Sequence, residues 1–276
     1  MTESLRCCFC IGEREKENGD APKLVENGKE NVDAPKPIEK GVDSSKPSRE
    51  SKLAPSKQSG TIRILMVHGA VQNAEIFMKR TSNLRSKALK VPGRKVELVW
   101  AESPLQVHPA LTSDEHLETD GRAWYTPHEL SQGNTVRPVD SNKYDDFEQP
   151  MEVLRTLAKE QGPFTGLIAF SQGGVPASLL LTEMKDSLQF AIFVSCFGPK
   201  DTDVCALMAQ AKHERINVPT MHVLGKTDPF VKNHRSRELA EYFKDPEVVT
   251  HDGGHIMIPK ELFGNVKDFL ARVTKQ

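Results

Sequence analysis

The sequence lacks the features of a membrane-spanning or secreted chain. It has no apolar run close to the roughly 20 residues that a transmembrane helix needs, and its N-terminus has no apolar core of about 7 to 15 residues such as a secretory signal carries. Its five cysteines are an odd number, and three of them crowd at Cys7, Cys8 and Cys10, which is not the spacing of a disulfide framework. These absences predict a cytoplasmic protein in a reducing compartment.

The chain also lacks an excess of charge of one sign and any metal-ligand pattern. Its formal net charge is -1 at pH 7, which gives no electrostatic reason to expect a nucleic-acid partner. No pair of histidines has helix or zinc-finger spacing with acidic or cysteine partners. We therefore expect no nucleic-acid partner, no metal and no cofactor.

Residues 11–60 contain no aromatic residue, but they hold twenty charged side chains, ten of each sign, and five prolines. Such a segment cannot bury enough apolar surface to offset the entropy lost on ordering. The sequence therefore predicts a disordered polar tail at residues 1–60 and a single domain at residues 61–276, which is long enough to bury a core.

The three N-terminal cysteines are candidates for reversible S-palmitoylation. They lie among apolar residues with Arg6 and Arg14 close by, and two or three acyl chains would suffice for stable anchoring. This pattern predicts peripheral membrane association of an otherwise cytoplasmic protein. Two alternatives are thiols without a role and an adventitious metal site.

From residue 61 onward, β-rich apolar runs alternate with helical patterns. The predicted strands are TIRILMVHG from residue 61, KVELVWA from 95, GLIAF from 166, FAIFVS from 190, TMHVLG from 220 and PEVVTH from 246. Helical patterns cover 147–160, 234–243 and 260–273, and a further helix follows GLIAF. This alternation predicts an α/β fold in which a mostly parallel sheet carries helices on both faces.

One long segment, residues 103–146, interrupts this alternation with little periodicity of its own. It has eight acidic residues against three basic ones, and it contains the pair Trp124 and Tyr125. Connections of this length are typically walls or lids of functional sites, or else disordered. The aromatic pair favours a wall or lid.

The stretch IAFSQGGVPA, residues 168–177, places Ser171 directly after a predicted strand. Reactive groups of parallel sheets gather at the carboxyl ends of the strands. A nucleophile turn needs small residues two before and two after the serine, and here these are Ala169 and Gly173. The alternative for Ser171 is an ordinary helix N-cap.

The positions of two later residues favour a nucleophile over a helix N-cap as the role of Ser171. Asp228 follows the predicted strand TMHVLG, and His255 follows PEVVTH after two glycines, in the order Ser, Asp, His that this type of site requires. We therefore predict a triad of Ser171, Asp228 and His255. The rivals are His251 for the base, and Asp201 and Asp203 for the carboxylate.

The set L-x-x-H-G-x-x-Q-N from residue 65, G-P-F-x-G-x-x-x-F-S-Q-G from 162, H-x-x-G-x-x-D from 222 and G-G-H from 253 resembles the FSH-type serine hydrolases. The resemblance covers about residues 61–273, and R-A-W-Y from residue 122 is similar to an aromatic motif of the family's animal branch. It implies an α/β-hydrolase fold with Ser171 as nucleophile, Asp228 as acid and His255 as base. Ala169 departs from the family, which more often has glycine there.

In this fold the oxyanion hole consists of two backbone N–H groups, one from the residue after the nucleophile and one from the loop after the first strand. We therefore predict that the two donors are the backbone N–H of Gln172 and that of either Ala70 or Val71. His68 is expected to shape the loop after the first strand. Aromatic and apolar residues near the reactive edge are candidates for an acyl pocket: Phe77, Trp124, Tyr125, Phe230 and Ile256. For several of them the alternative is an ordinary place in the core.

We therefore predict an esterase or thioesterase that acts on medium-to-long acyl chains of small-molecule or lipid substrates. The alternative is a non-catalytic acyl-binding or interaction module that retains the fold.

Overall fold

The computed structural model describes residues 60–112 and 120–274. The strands of this part are, in chain order, β1 (Thr61–Val67), β2 (Lys95–Ala101), β3 (Leu105–Gln106), β4 (Arg122–Ala123), β5 (Thr126–Pro127), β6 (Tyr144–Asp145), β7 (Gly166–Phe170), β8 (Phe190–Val194), β9 (Thr220–Gly225) and β10 (Glu247–His251). The helices are α1 (Ala74–Arg80), α2 (Ser82–Lys87), α3 (His128–Ser131), α4 (Glu148–Gln161), α5 (Gly174–Glu183), α6 (Thr202–Leu207), α7 (Ala209–Glu214), α8 (Asn233–Ala240) and α9 (Phe263–Val273). Except for Gly60, the predicted tail lies outside the described residues, as do Cys7, Cys8 and Cys10.

The six longer strands form one sheet in the order β10-β9-β8-β7-β1-β2, and every neighbouring pair is parallel. All six coincide with the strands that the apolar runs predict. Because the strands are parallel, their carboxyl ends lie at one edge of the sheet, where the segments that follow them can meet.

Side chains alternate between two cores, one on each face of the sheet. On β7, Leu167 and Ala169 belong to the core beneath α4 and α5, whereas Ile168 and Phe170 belong to the core beneath α1 and α9. All five residues of β7 are buried. This burial on both faces explains why the strand is a continuous apolar run rather than an alternating one, and it confirms the predicted α/β architecture.

The segment between β2 and α4 is more regular in its described part than its sequence predicts. β3 pairs with β4, and β5 pairs with β6, each pair being antiparallel. The rings of Tyr125 and Tyr144 stack with their centroids 3.8 Å apart, and the Tyr144 hydroxyl accepts the backbone N–H of Lys200 at 2.9 Å. The ring stacking orders the segment internally, and the hydrogen bond to Lys200 fastens the segment to the body of the domain.

Two histidines are enclosed in the cores, and none of the residues that the structure describes offers them a charged partner within hydrogen-bond distance. Burial lowers the pKa of His68 to about 4 and that of His222 to about 3. His222 stacks on Phe193, with ring centroids 5.1 Å apart, and contacts the Thr220 hydroxyl at 3.2 Å. Both imidazoles are therefore neutral in the folded protein at pH 7.

We expect acid to destabilise the domain through these two residues. Between about pH 6.5 and pH 4 the unfolded chain binds protons on imidazoles that stay neutral in the fold, so the free energy of unfolding falls as the pH falls. Each histidine contributes up to about 1.4 kcal/mol per pH unit. His222→Leu should remove one of the two contributions to the slope, which urea unfolding at pH 7, 6 and 5 would measure. An unchanged slope in the variant would contradict this assignment.

Candidate active site

Ser171 lies at the turn between β7 and α5, and its backbone φ is 51°. This left-handed conformation is costly for a residue other than glycine, and it is typical of the sharp turn that presents a nucleophile. A Cβ at Gly173 would lie 2.3 Å from the carbonyl oxygen of His68. Glycine is therefore required there for the serine turn to lie against the end of β1.

Ala169, two residues before the serine, is completely buried in the core beneath α4 and α5. The closest approaches at the turn are made by the two glycines that follow Ser171: a Cβ at Gly174 would lie 2.5 Å from the Cβ of Cys196. The Cys196 thiol donates a hydrogen bond to the Ala169 carbonyl at 3.3 Å. The fold thus accommodates a methyl group at position 169.

Ser171, His255 and Asp228 form a continuous hydrogen-bonded chain. The Nε2 atom of His255 lies 2.9 Å from the Ser171 Oγ, and its Nδ1 atom lies 2.7 Å from the Asp228 Oδ2. A carboxylate at Nδ1 fixes the tautomer that leaves Nε2 free to accept the serine proton. This is the arrangement that acyl transfer requires.

The Asp228 carboxylate is held by further bonds on its other oxygen. Its Oδ1 accepts the backbone N–H groups of Phe230 and Val231, each at 2.9 Å. Burial alone would raise the pKa of Asp228, but the hydrogen bond and charge of His255, together with the two amides, outweigh burial and lower it. Asp228 therefore remains ionised at neutral pH.

Close backbone contact brings the Asp228 and His255 loops together. A Cβ at Gly225 would lie 2.2 Å from the carbonyl oxygen of Gly254, so only glycine permits this approach. The rings of Phe170 and Phe230 flank the imidazole of His255, with centroids 5.0 and 5.4 Å away. Packing on two sides fixes the plane in which the imidazole lies.

Two of the three rival residues have other hydrogen-bond partners, and the third is exposed. His251 ends β10, and its Nδ1 accepts the backbone N–H of Gly253 at 3.1 Å. Asp201 caps α6 by accepting the N–H groups of Asp203 and Val204, and its second oxygen accepts the N–H of Tyr144. Asp203 lies exposed in the first turn of α6.

The two candidates for the second oxyanion donor are not equivalent. The Val71 amide donates to the carbonyl of Arg122 at 2.9 Å, so it is already engaged. The Ala70 amide has no hydrogen-bond partner among the described residues. Val71 also has a φ of 60°, which is strained for a β-branched residue. Of these two backbone N–H groups, that of Ala70 is therefore the better candidate for the second oxyanion donor.

The five residues expected to line an acyl pocket divide into two groups. Phe230 packs beside the His255 ring, and Ile256, which follows His255, is 45% exposed. Phe77, Trp124 and Tyr125 are each 0% exposed, so in this structure they present no surface to a ligand. The expectation that these three rings line a pocket is therefore corrected.

The physical reason is that both polar aromatics find partners inside the domain. The Trp124 indole N–H donates to the His68 carbonyl at 2.7 Å, and the Tyr125 hydroxyl donates to the Pro138 carbonyl at 3.0 Å. Phe77 packs on the rings of Trp100 and Phe170. The sequence also gave no indication of the side-chain role of Gln172, which bonds to Trp124 and Tyr125, because the partners lie almost fifty residues apart.

Residues 60–112 and 120–274 contain no cluster of three or more histidine, cysteine or acidic side chains that could hold a metal ion. In the same ranges no helix is long and apolar enough to cross a bilayer.

Several known proteins with related sequences are hydrolases by name. Residues 58–262 match the family model described as "Serine hydrolase (FSH1)". The chain is 30% identical over 210 residues to Esterase OVCA2 of Xenopus tropicalis, covering 72% of this chain and 86% of that protein. It is 28% identical over 217 residues to Esterase CG5412 of Drosophila melanogaster, covering 77% and 74% of the two chains.

Solved structures show the same fold at low sequence identity. SOBER1 of Arabidopsis thaliana superposes with a TM-score of 0.53 at 15% identity, covering 78% of this chain and 100% of that chain. A carboxylesterase of Mesorhizobium loti gives 0.51 at 14% identity, covering 78% and 90%. The fold is thus that of the α/β-hydrolases, and because the family model matches more than half of the 276 residues, the chain belongs to the FSH1 serine hydrolase family.

Proposed function

We propose that this protein is a serine esterase or thioesterase whose nucleophile is Ser171. The observation that carries the proposal is the hydrogen-bonded chain from Asp228 through His255 to Ser171, on a turn with a positive φ at the serine. The relatives named esterases support the choice of ester substrates.

The reaction proceeds in two acyl-transfer steps. The Ser171 Oγ attacks the carbonyl carbon as its proton passes to the His255 Nε2, and the carbonyl π electrons move onto oxygen. Collapse of this tetrahedral intermediate expels the alcohol or thiol, which takes the proton from His255. Water then attacks the acyl-enzyme with His255 again as the base, and the carboxylic acid leaves as Ser171 regains its proton.

Each neighbouring group has a defined part in these steps. Ionised Asp228 stabilises the imidazolium that forms when His255 takes the serine proton. The backbone N–H groups of Gln172 and Ala70 are the proposed donors to the oxyanion, and removing such a donor typically costs about 10²-fold to 10³-fold in kcat.

The residues beside the imidazole favour an apolar acyl group. Phe230 presents an aromatic ring, and Ile256 is one of two large hydrophobic residues that the described part of the chain leaves exposed. The other is Leu207, which is 64% exposed on α6. An apolar residue next to the base provides a surface for an acyl chain, and Leu207 provides the matched control.

We expect kcat/KM to rise several-fold from p-nitrophenyl acetate to the octanoate, because each methylene that is buried contributes up to about 0.8 kcal/mol. Ile256→Ser should lower the value for the octanoate more than for the acetate, whereas Leu207→Ser should change neither. Assaying the ester series and one matched thioester with the three proteins tests this. A flat or falling series would point instead to a small or polar acyl group, and absence of all hydrolysis would contradict the proposed activity.

A further inference from the structure

The segment Arg122–Tyr125 is hydrogen-bonded to both loops that carry the proposed oxyanion donors. We infer that Trp124 is a positioning residue, which sets the distance between the N–H groups of Ala70 and Gln172. The inference rests on the proposed function and assigns to Trp124 a role distinct from both the triad and an acyl pocket.

The first set of bonds joins the segment to the nucleophile turn. The side-chain oxygen of Gln172 accepts the backbone N–H of Trp124 at 2.9 Å, and its side-chain nitrogen donates to the carbonyl of Tyr125, also at 2.9 Å. Gln172 is 1% exposed, so these bonds are shielded from water and costly to break. The residue that would supply one oxyanion donor is thereby fixed to the segment.

The second set of bonds joins the segment to the loop after β1, on both sides of Ala70. Before Ala70, the Trp124 indole N–H donates to the carbonyl of His68 at 2.7 Å. After it, Arg122 accepts the N–H of Val71 at 2.9 Å and donates its own N–H to the carbonyl of Gln72 at 2.8 Å. Ala70 is therefore held between fixed neighbours.

Trp124 bonds directly to both loops: its backbone N–H reaches the Gln172 side chain, and its indole N–H reaches the backbone of His68. Misplacing a reacting group by about 1 Å can cost about 10²-fold in rate. Because Trp124 bonds to both loops, it can fix the distance between the two oxyanion donors.

The His68 ring supports the same contact. It packs against Trp124, with centroids 4.8 Å apart, and its Nδ1 donates to the Gly69 carbonyl at 2.8 Å while its Nε2 accepts the N–H of Ser103 at 3.3 Å. Both ring nitrogens are used, in the manner of a neutral imidazole. His68 thus stiffens the loop after β1 without placing a charge beside the proposed oxyanion hole.

The test is Trp124→Phe, which keeps an aromatic ring but removes the indole donor. The matched control is Trp100→Phe, the same substitution at the chain's other tryptophan, which packs on Phe77. A second variant, Gln172→Met, keeps the backbone N–H at position 172 while removing both side-chain bonds. For each protein we would measure kcat, KM, the pH dependence of kcat, Tm and the rate of labelling by a fluorophosphonate.

We expect Trp124→Phe and Gln172→Met to lower kcat by about tenfold to a hundredfold with little change in KM. The labelling rate should fall in parallel, because the phosphoryl oxygen of the probe needs the same two donors. The pH profile should keep its midpoint, since the triad is intact. Trp100→Phe should retain the kcat of the unaltered protein even if its Tm falls.

Three results would overturn the inference. Equal kcat values for Trp124→Phe and Trp100→Phe would reduce Trp124 to a core residue. A large rise in KM at unchanged kcat would make it part of the substrate pocket. Absence of both hydrolysis and labelling in the unaltered protein would refute the proposed function itself, and with it any positioning role. If the unaltered protein is active, either of the first two results refutes the inference alone.

Discussion

Ser171→Ala is expected to abolish ester hydrolysis, lowering kcat by on the order of 10⁶-fold, as removal of a triad serine does elsewhere. The substitution removes the oxygen that lies 2.9 Å from the His255 Nε2 and leaves the backbone and the rest of the site in place. Tm should move by no more than a few degrees, because the change deletes a single, partly exposed oxygen. Initial rates with a chromogenic ester and thermal unfolding of the same preparation provide the measurement.

Ser195→Ala is the matched control for this variant. Ser195 follows β8 as Ser171 follows β7, on the neighbouring strand, and its φ of 48° is close to that of Ser171. Its hydroxyl is buried and has no hydrogen-bond partner among residues 60–112 and 120–274. We expect this variant to keep its activity. Retention of more than about a hundredth of the activity by Ser171→Ala would exclude Ser171 as the nucleophile, given the usual cost of losing it.

His255→Ala should cost nearly as much, on the order of 10⁶-fold in kcat, because serine and base act as a unit. The imidazole is the link in the chain that touches both Ser171 and Asp228, so its removal leaves the serine without a proton acceptor. Single-turnover and steady-state rates with the same ester would measure the loss.

His251→Asn serves as the comparison for the base. An asparagine oxygen can replace the Nδ1 atom that accepts the Gly253 N–H, so the loop should keep its path and most of the activity should remain. If His251→Asn were as inactive as His255→Ala, the assignment of the base would be incorrect.

The sequence predicts the sheet well, for a local reason, and the parallel strands also explain why the three proposed triad residues lie near one another. The strands β7 and β8 are buried along their whole length and contain no polar side chain, so each appears as an uninterrupted apolar run. Ser171, Asp228 and His255 follow the strands β7, β9 and β10, and parallel strands bring the segments after them to one edge of the sheet.

What the sequence could not predict depends on contacts between distant residues. The choice between Ala70 and Val71 depends on a hydrogen bond from Val71 to Arg122, and the burial of Trp124 depends on a bond to His68, 56 residues away. The periodicity of apolar residues along the sequence gives no information about such long-range hydrogen bonds. The strands around Trp124 are also two residues long, which is too short for an alternating pattern to be read.

The measurement that tests the central claim most directly is the site of covalent labelling by a fluorophosphonate. Trypsin cleavage after Lys159 and Lys185 releases Ser171 together with Ser178 in the peptide 160–185, so fragmentation of that peptide in a mass spectrometer must distinguish the two serines. We predict one phosphonyl adduct per chain, located on Ser171 and absent from Ser171→Ala. An adduct on Ser178 or elsewhere, or no adduct on the intact protein, would contradict the assignment of Ser171 as the nucleophile.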